Sequence, residues 1–453
     1  MRVLIVGASH AGIAAARRAR EEYPDAQITM FERKKDISFV SQTIPLFLMG
    51  QEDILKQGNY TTVAELAQEG IEVLTETEVR AIDVKAKTLS YKQDRSKMLE
   101  ILSYDKLIMA SGSYPILPPT SGVFNKTFFL LKNFEDAMSI NRFMGLANKV
   151  VVIGGGVIGT EISRIFALRG LSVTMVHSHD FLMNRYLDPL MSEQVELALK
   201  QEGVIILKNT RAIDYKTTKP SIFRKPKMSV FTSDGAEVET DGVVVSVGFR
   251  PNTYLLIGQV EFGDKGAILV DEYMRTTTPD VFAVGDCATT YLNLSKENVY
   301  IPHASDAIRQ GNVAGVNLVT CQEKIPPSLG TYNLNMESFT IATTGLTKTS
   351  ALAHHYDVDA AYYENRSINS DKYAKMYLVY EVGTKRILGF QVVSNLAIGE
   401  YANIFALAIQ DEKTIDEIEL TDFYFEHGYK NPSGFTKILA KIVRSQEEAR
   451  TKK

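Results

Sequence analysis

Two glycine-rich segments and a few polar side chains near them are the places where this sequence could do chemistry. The first segment is Gly7-Ala8-Ser9-His10-Ala11-Gly12, inside "RVLIVGASHAGIAAARRAR". The second is "GGGVIG", residues 154–159, inside "KVVVIGGGVIGTEISRIFALRG". A turn of this kind between a strand and a helix lets the backbone approach a pyrophosphate, which then faces the amide end of the helix. Gly7 supplies the tight turn and Gly12 the close packing of helix on strand, while Ser9 stands where the pattern has its second glycine. Glu32 ends the next strand-like run, about 20 residues past Gly12, where an acid can accept hydrogen bonds from a ribose. His10 opens the first helix, whose positive end disfavours an imidazolium, so the ring reads as a neutral base or donor, or equally as a plain loop histidine. Gly285-Asp286 follows a strand and places a carboxylate at its end, suited to a ribityl or sugar hydroxyl.

Gly154, Gly156 and Gly159 complete the full pattern at the second segment. The strand after it ends at His177-Ser178-His179 rather than at the acid that binds a ribose 2′-hydroxyl. That tip tolerates a 2′-phosphate, which His177 could bond, and leans slightly towards NADPH. Glu161 lies just beyond Gly159; an acid there also suits the helix dipole.

These residues need two βαβ units to hold them. Each segment has a β-branched run, a glycine turn, apolar residues at helical spacing and a further strand-like run, "QITMFE" or "SVTMVH". A strand, a small-residue turn and prolines over residues 104–119 read as a boundary, as does "VVVSVGFRPN" over 243–252. After "CQEKIPPSLG" the texture becomes alternating strands with two or three helices, an α+β tail of about 120 residues. The expected fold is α/β: two Rossmann-like domains and a C-terminal α+β domain. The expected parts are 1–118 and 245–322 for the first dinucleotide, 119–244 for the second, and 323–453 for the tail.

The chain has 453 residues, too many for one core. Its net charge of −4 gives no reason to invoke nucleic acid or an anionic membrane as partner. Two cysteines, Cys287 and Cys321, can build neither a disulfide scaffold nor a zinc site. No apolar run approaches the roughly 20 residues of a spanning helix. The expectation is a soluble cytoplasmic protein with no metal.

Taken together, the order of these motifs resembles the FAD-dependent pyridine nucleotide–disulfide oxidoreductases over nearly the whole chain. The likeness is nearer to the branch of NADH oxidase, NADH peroxidase and coenzyme A-disulfide reductase. That branch has a histidine in its first turn, matched by His10, and "ISF-x-S", matched by residues 37–41. "DFYFEHGYKNPSGF", residues 422–435, matches its interface segment. The resemblance implies FAD on the first turn and NAD(P)H on the second. It also implies a homodimer built by the tail, with His427 and Tyr429 near the partner's site. It points to Arg33, Ser41, Val79, Ala110, Ser111, Gly112, Gly248 and Ala304 as further FAD or crossover contacts, and to Val157, Ile158 and Glu161 at the nicotinamide. Val157 stands where the branch often has an aromatic gate.

In that branch the residue after "ISF-x-S" is a single redox-active cysteine, and here it is Gln42. An amide cannot act as thiolate or sulfenate. The reading is therefore an NAD(P)H oxidoreductase passing electrons through FAD to oxygen, forming peroxide, or to a quinone-like acceptor. Gln42 can hydrogen-bond the flavin edge, His10 or a substrate. His303 either faces the vacated cysteine position or is a partly buried, hydrogen-bonded histidine. Two other readings stay open: a retired flavoprotein serving as a redox-responsive binding module, and a disulfide reductase that borrows a partner's cysteine.

Overall fold

The computed structural model describes every residue except 52, 95, 97, 119–126, 218–227, 337–338, 368–369, 424–433 and 453. The apolar run Val3-Leu4-Ile5-Val6 forms the middle of a parallel five-stranded sheet, covered on both faces as such strands require. Its order is Val281–Ala283, Lys106–Met109, Arg2–Val6, Gln27–Phe31, Ile71–Leu74. The outermost strand comes from far along the chain, so the body is built from two segments. The helices His10–Glu22 and Ala304–Val316 seal that joint by packing side by side. Only a glycine permits the contact at 311, where a Cβ would sit 2.4 Å from the Ala11 carbonyl oxygen.

A second parallel five-stranded sheet repeats the plan. Its order is Ile205–Leu207, Ser172–Val176, Lys149–Ile153, Gly242–Val245, Phe128–Leu130. The central valines 150 to 152 are at most 1% exposed. Each fully buried valine is worth about 1.5 kcal/mol or more. Two strands, Ser113–Pro115 and Phe249–Pro251, pair antiparallel where the chain crosses between the two bodies.

The tail is a five-stranded antiparallel sheet in the order Tyr332–Met336, Phe339–Gly345, Ile387–Ser394, Tyr373–Glu381, Val358–Arg366. Four helices belong to it among the described residues, where two or three were expected; Lys348–Ala353 and Ile415–Glu419 are too short to show a helical period. A buried reciprocal pair ties the tail to the second body. Gln391 donates through Nε2 to Asp188 Oδ2 at 2.7 Å and accepts from the Asp188 amide at 2.8 Å. The Lys348 amide donates to the same carboxylate oxygen at 2.8 Å. This fixes the segment that carries Tyr186, two residues earlier.

Candidate active site

At the first turn, Gly7 has φ +111°, and a Cβ there would lie 2.2 Å from the Ala110 carbonyl oxygen. The residues present therefore fit a dinucleotide: the turn keeps a cradle that any side chain would fill. Ser9 precedes the helix with an extended backbone, and its exposed hydroxyl makes no capping bond. Glu32 Oε2 accepts from the Ala8 amide at 3.0 Å, and Oε1 accepts from the Lys34 amide at 2.9 Å. A carboxylate keeps further lone pairs for ribose hydroxyls. Arg33 beside it is exposed, and Val79 is buried in the strand Thr77–Asp83, opposite Tyr91.

The other wall is the Ala110-Ser111-Gly112 turn. Ser111 Oγ donates to the Asn252 carbonyl at 2.6 Å, and the Asn252 amide donates to the Gly112 carbonyl at 2.9 Å. Gly248, at φ +108°, accepts from the Ile116 amide at 2.9 Å. Asp286 lies in the turn after Val281–Ala283, and Gln310 of the helix opened by Ala304 accepts from the Gly285 amide at 2.7 Å. Asp286 Oδ2 accepts from Ser113 Oγ at 2.7 Å and faces Lys132 Nζ at 3.3 Å. The Lys132 ammonium sits 4.6 Å from the centre of the Phe249 ring, and burial pulls its pKa down. Sequence reasoning missed Ser113 and Lys132. No local pattern marks them, because their partner lies more than 150 residues away.

Between the two walls, the segment of residues 37–42 is pinned by a residue the sequence did not flag. Ser38 is fully buried with φ +57°, a left-handed conformation uncommon outside glycine. Its amide donates to the Ala8 carbonyl at 3.1 Å and its hydroxyl to the Thr61 carbonyl at 2.7 Å. The segment is thus held against the first turn, and Ser41 and Gln42 are left exposed ahead of the helix Thr43–Leu48. Gln42 has no side-chain hydrogen bond among the described residues, so of the three partners open to it, the flavin edge, His10 or a substrate, His10 is not engaged. His10 pairs instead with Tyr60, whose hydroxyl lies 3.3 Å from Nδ1 with the rings stacked at 5.5 Å. Burial lowers the His10 pKa, with Asp286 opposing, so the ring is neutral.

The second turn repeats the first. Gly154 has φ +106°, with Ser246 in the role of Ala110: a Cβ would lie 2.4 Å from its carbonyl oxygen. Gly156 precedes the helix Val157–Leu168, which carries Val157, Ile158 and Gly159 in its first turn and Glu161 just beyond it. Burial raises the Glu161 pKa to about 8, so this carboxyl is protonated at neutral pH.

His177 is a correction. Its Nδ1 accepts from the Gly155 amide at 3.1 Å and its Nε2 lies 2.8 Å from the Phe181 carbonyl, so the proton is on Nε2. Both nitrogens brace the glycine turn, and the ring is 6% exposed. It has no nitrogen left for a 2′-phosphate. His303 is likewise a buried, hydrogen-bonded histidine: Nε2 lies 3.2 Å from the Tyr186 hydroxyl, and no contact joins it to Gln42 among the described residues.

Cys287 is fully buried, its thiol donating to the Met109 and Val284 carbonyls, and burial raises its pKa. Cys321 is exposed beyond the helix Ala304–Val316. His427 and Tyr429 lie outside the described residues. Among the described residues, no group of three or more His, Cys, Asp or Glu side chains converges on a metal position, and no helix is long and apolar enough to cross a membrane.

Burial lowers the pKa of His10, His177 and His303 alike. Below the unfolded value of 6.5 the unfolded chain binds protons that the folded chain refuses, so stability falls as pH drops. Glu161 and His354, whose pKa values are raised, oppose these three rings. Urea unfolding should therefore give lower stability at pH 5.5 than at 6.5, by about 1–3 kcal/mol. Equal stability at the two values would mean that these rings are solvated.

A family model described as pyridine nucleotide-disulphide oxidoreductase matches residues 1–311. A second, its dimerisation domain, matches residues 335–427. The chain is 36% identical to an NADH oxidase of Enterococcus faecalis over 447 residues, covering 98% of this chain and 99% of the relative. The water-forming NADH oxidase of Lactobacillus brevis, solved with NADH, is 32% identical and superposes with a TM-score of 0.94 over 100% of both chains. An NAD-dependent persulfide reductase from A. fulgidus is 28% identical with a TM-score of 0.90, covering 99% of this chain and 84% of that one.

Proposed function

The chain belongs to the pyridine nucleotide-disulphide oxidoreductase family, and from that premise we propose that it oxidises NAD(P)H without a redox cysteine, giving peroxide from oxygen or reducing a small quinone-like acceptor. As a family member it is an FAD-dependent NAD(P)H oxidoreductase. The observation that carries the finer reading is Gln42. It is an exposed amide held ahead of a helix by Ser38, with Cys287 sealed in the core and Cys321 at the surface. FAD, when bound, accepts the hydride and passes the electrons on. The residues bind, orient and exclude. The turn at Gly7 and Glu32 would hold its adenosine half, and Asp286 with Ser113 and Lys132 its ribityl half. A protonated Glu161 would donate a hydrogen bond towards the nicotinamide, and neutral His10 with Tyr60 would bound the opposite side. With no acid at the tip of Ser172–Val176, both nucleotides are accepted as donors, with a lean to NADPH that rests on absent repulsion alone.

The division into 1–118 with 245–322, 119–244 and 323–453 is part of this reading, supported by sheet membership. The homodimer rests on the matched dimerisation domain. A cytoplasmic setting is part of the same reading, supported by the two free thiols.

Replacing Gln42 by alanine tests the role of that position. The expected loss in NAD(P)H oxidation is less than about tenfold, the worth of one hydrogen bond. A loss beyond about a hundredfold would give the amide an essential part that this account does not contain.

A further inference from the structure

We propose that the cavity behind the His303–Tyr186 pair binds a small organic carboxylate, at a site whose wall includes neither glycine turn. The cavity measures about 180 Å³ and lies where the second body, the residues after Asp286 and the tail meet. Neither glycine turn lines it, nor do Glu161 or Gln42. At roughly 10–15 Å³ of such volume per water it has room for about a dozen waters, enough for a compact organic molecule.

Its polar groups are incomplete. His303 is only 7% exposed, and its Nδ1 has no hydrogen-bond partner. Asp306 Oδ2, the nearest carboxylate oxygen at 4.0 Å, already accepts from Ser328 Oγ at 3.0 Å. Ser295 Oγ, also on the cavity wall, is buried and unpartnered too. Buried polar atoms are nearly always paired, so three orphans on residues lining one cavity, the Tyr300 hydroxyl being the third, call for an occupant with polar atoms of its own.

Charge gives the class. Arg185 lines the cavity, is exposed, and has no carboxylate partner among the described residues. The neighbouring charges cancel: Lys265 faces Asp264 at 3.7 Å, and Arg309 holds Asp306 at 2.9 Å. One uncompensated guanidinium matches a single carboxylate, which it can bind with two parallel hydrogen bonds. The leucines 292, 294 and 346 make the remaining wall apolar, against a phosphate and in favour of a carboxylate with an apolar body. The body would lie on the leucines, and a polar substituent would meet His303 Nδ1 and Ser295.

The site is independent of the reading of Gln42, and its failure would leave that reading standing. Benzoate is the probe, measured by equilibrium dialysis against the full-length, flavin-loaded protein. One saturable site per chain is expected, with Kd of about 1 mM or tighter for a ligand of this size. Arg185→Gln should weaken it about tenfold without loss of bound flavin, since Arg185 is exposed and lies outside the cofactor turns. Saturating NAD⁺ and millimolar inorganic phosphate should leave it bound. No saturable binding, an unchanged Kd in Arg185→Gln, or displacement by NAD⁺ or phosphate would each overturn the proposal.

Discussion

Gly7→Ala yields a colourless protein, while Gly154→Ala stays yellow and is no longer bleached by NAD(P)H. The two turns are built alike, with φ of +111° and +106° and space for a Cβ closed by the Ala110 and Ser246 carbonyl oxygens at 2.2 and 2.4 Å. An alanine at either position meets a backbone atom, which cannot move aside as a flexible side chain would. It is also strained by about 1–3 kcal/mol in that region of backbone space. The turn must open, and the contact that aims the helix amides at a pyrophosphate is lost. Together these give at least a hundredfold loss in affinity for the dinucleotide concerned, because 1.4 kcal/mol is a factor of ten. The selectivity is the useful part. Flavin content measured after gel filtration separates the variants, and stopped-flow bleaching tests the second. Loss of flavin from both would mean that the two bodies are not separately built.

Glu161→Gln should stabilise the protein in mild alkali. The folded carboxyl has a pKa of about 8 against a reference of 4.5. Between those values the folded chain holds a proton that the unfolded chain has released, so stability falls as pH rises through the window and the loss is complete above the folded value. The slope is about 1.4 kcal/mol per unit, giving up to about 4 kcal/mol between pH 4.5 and 8. Glutamine has no proton to lose and should flatten that descent. Denaturant midpoints at pH 6.5 and 8.5 would read it out: a clear fall for the parent chain, none for the variant. With the histidine effect below pH 6.5, the parent chain should be most stable near pH 6.5. Parallel falls in parent and variant would place the alkaline lability elsewhere.

The two glycine turns were legible because their requirement is local: a turn at positive φ selects glycine, and the flanking periods are short. Glu32 and Asp286 could be read as well, since each follows a strand end, Glu32 about 20 residues past Gly12 and Asp286 directly after Gly285. Ser113, Lys132 and Tyr186 could not. Their meaning lies in Asp286 and His303, which are 117 or more residues distant and reached only after the crossover strands pair. Ser38 was hidden for another reason: nothing in its type announces a left-handed backbone. His177 shows where position misleads. Its place at a strand tip faces a ribose in the usual pattern, but the imidazole turns inward and bridges Gly155 and Phe181, which an aspartate of its length could not span.

The most direct test of the central claim is the fate of the electrons. Flavin-loaded protein is mixed anaerobically with NADPH or NADH, then exposed to air, and peroxide is counted against nucleotide oxidised. The account predicts rapid bleaching, by NADPH at least as readily as by NADH, and one peroxide per nucleotide on reoxidation. Rapid bleaching followed by water with no trappable peroxide would contradict it, because four electrons would then reach oxygen in a chain with Gln42 where a thiol is required.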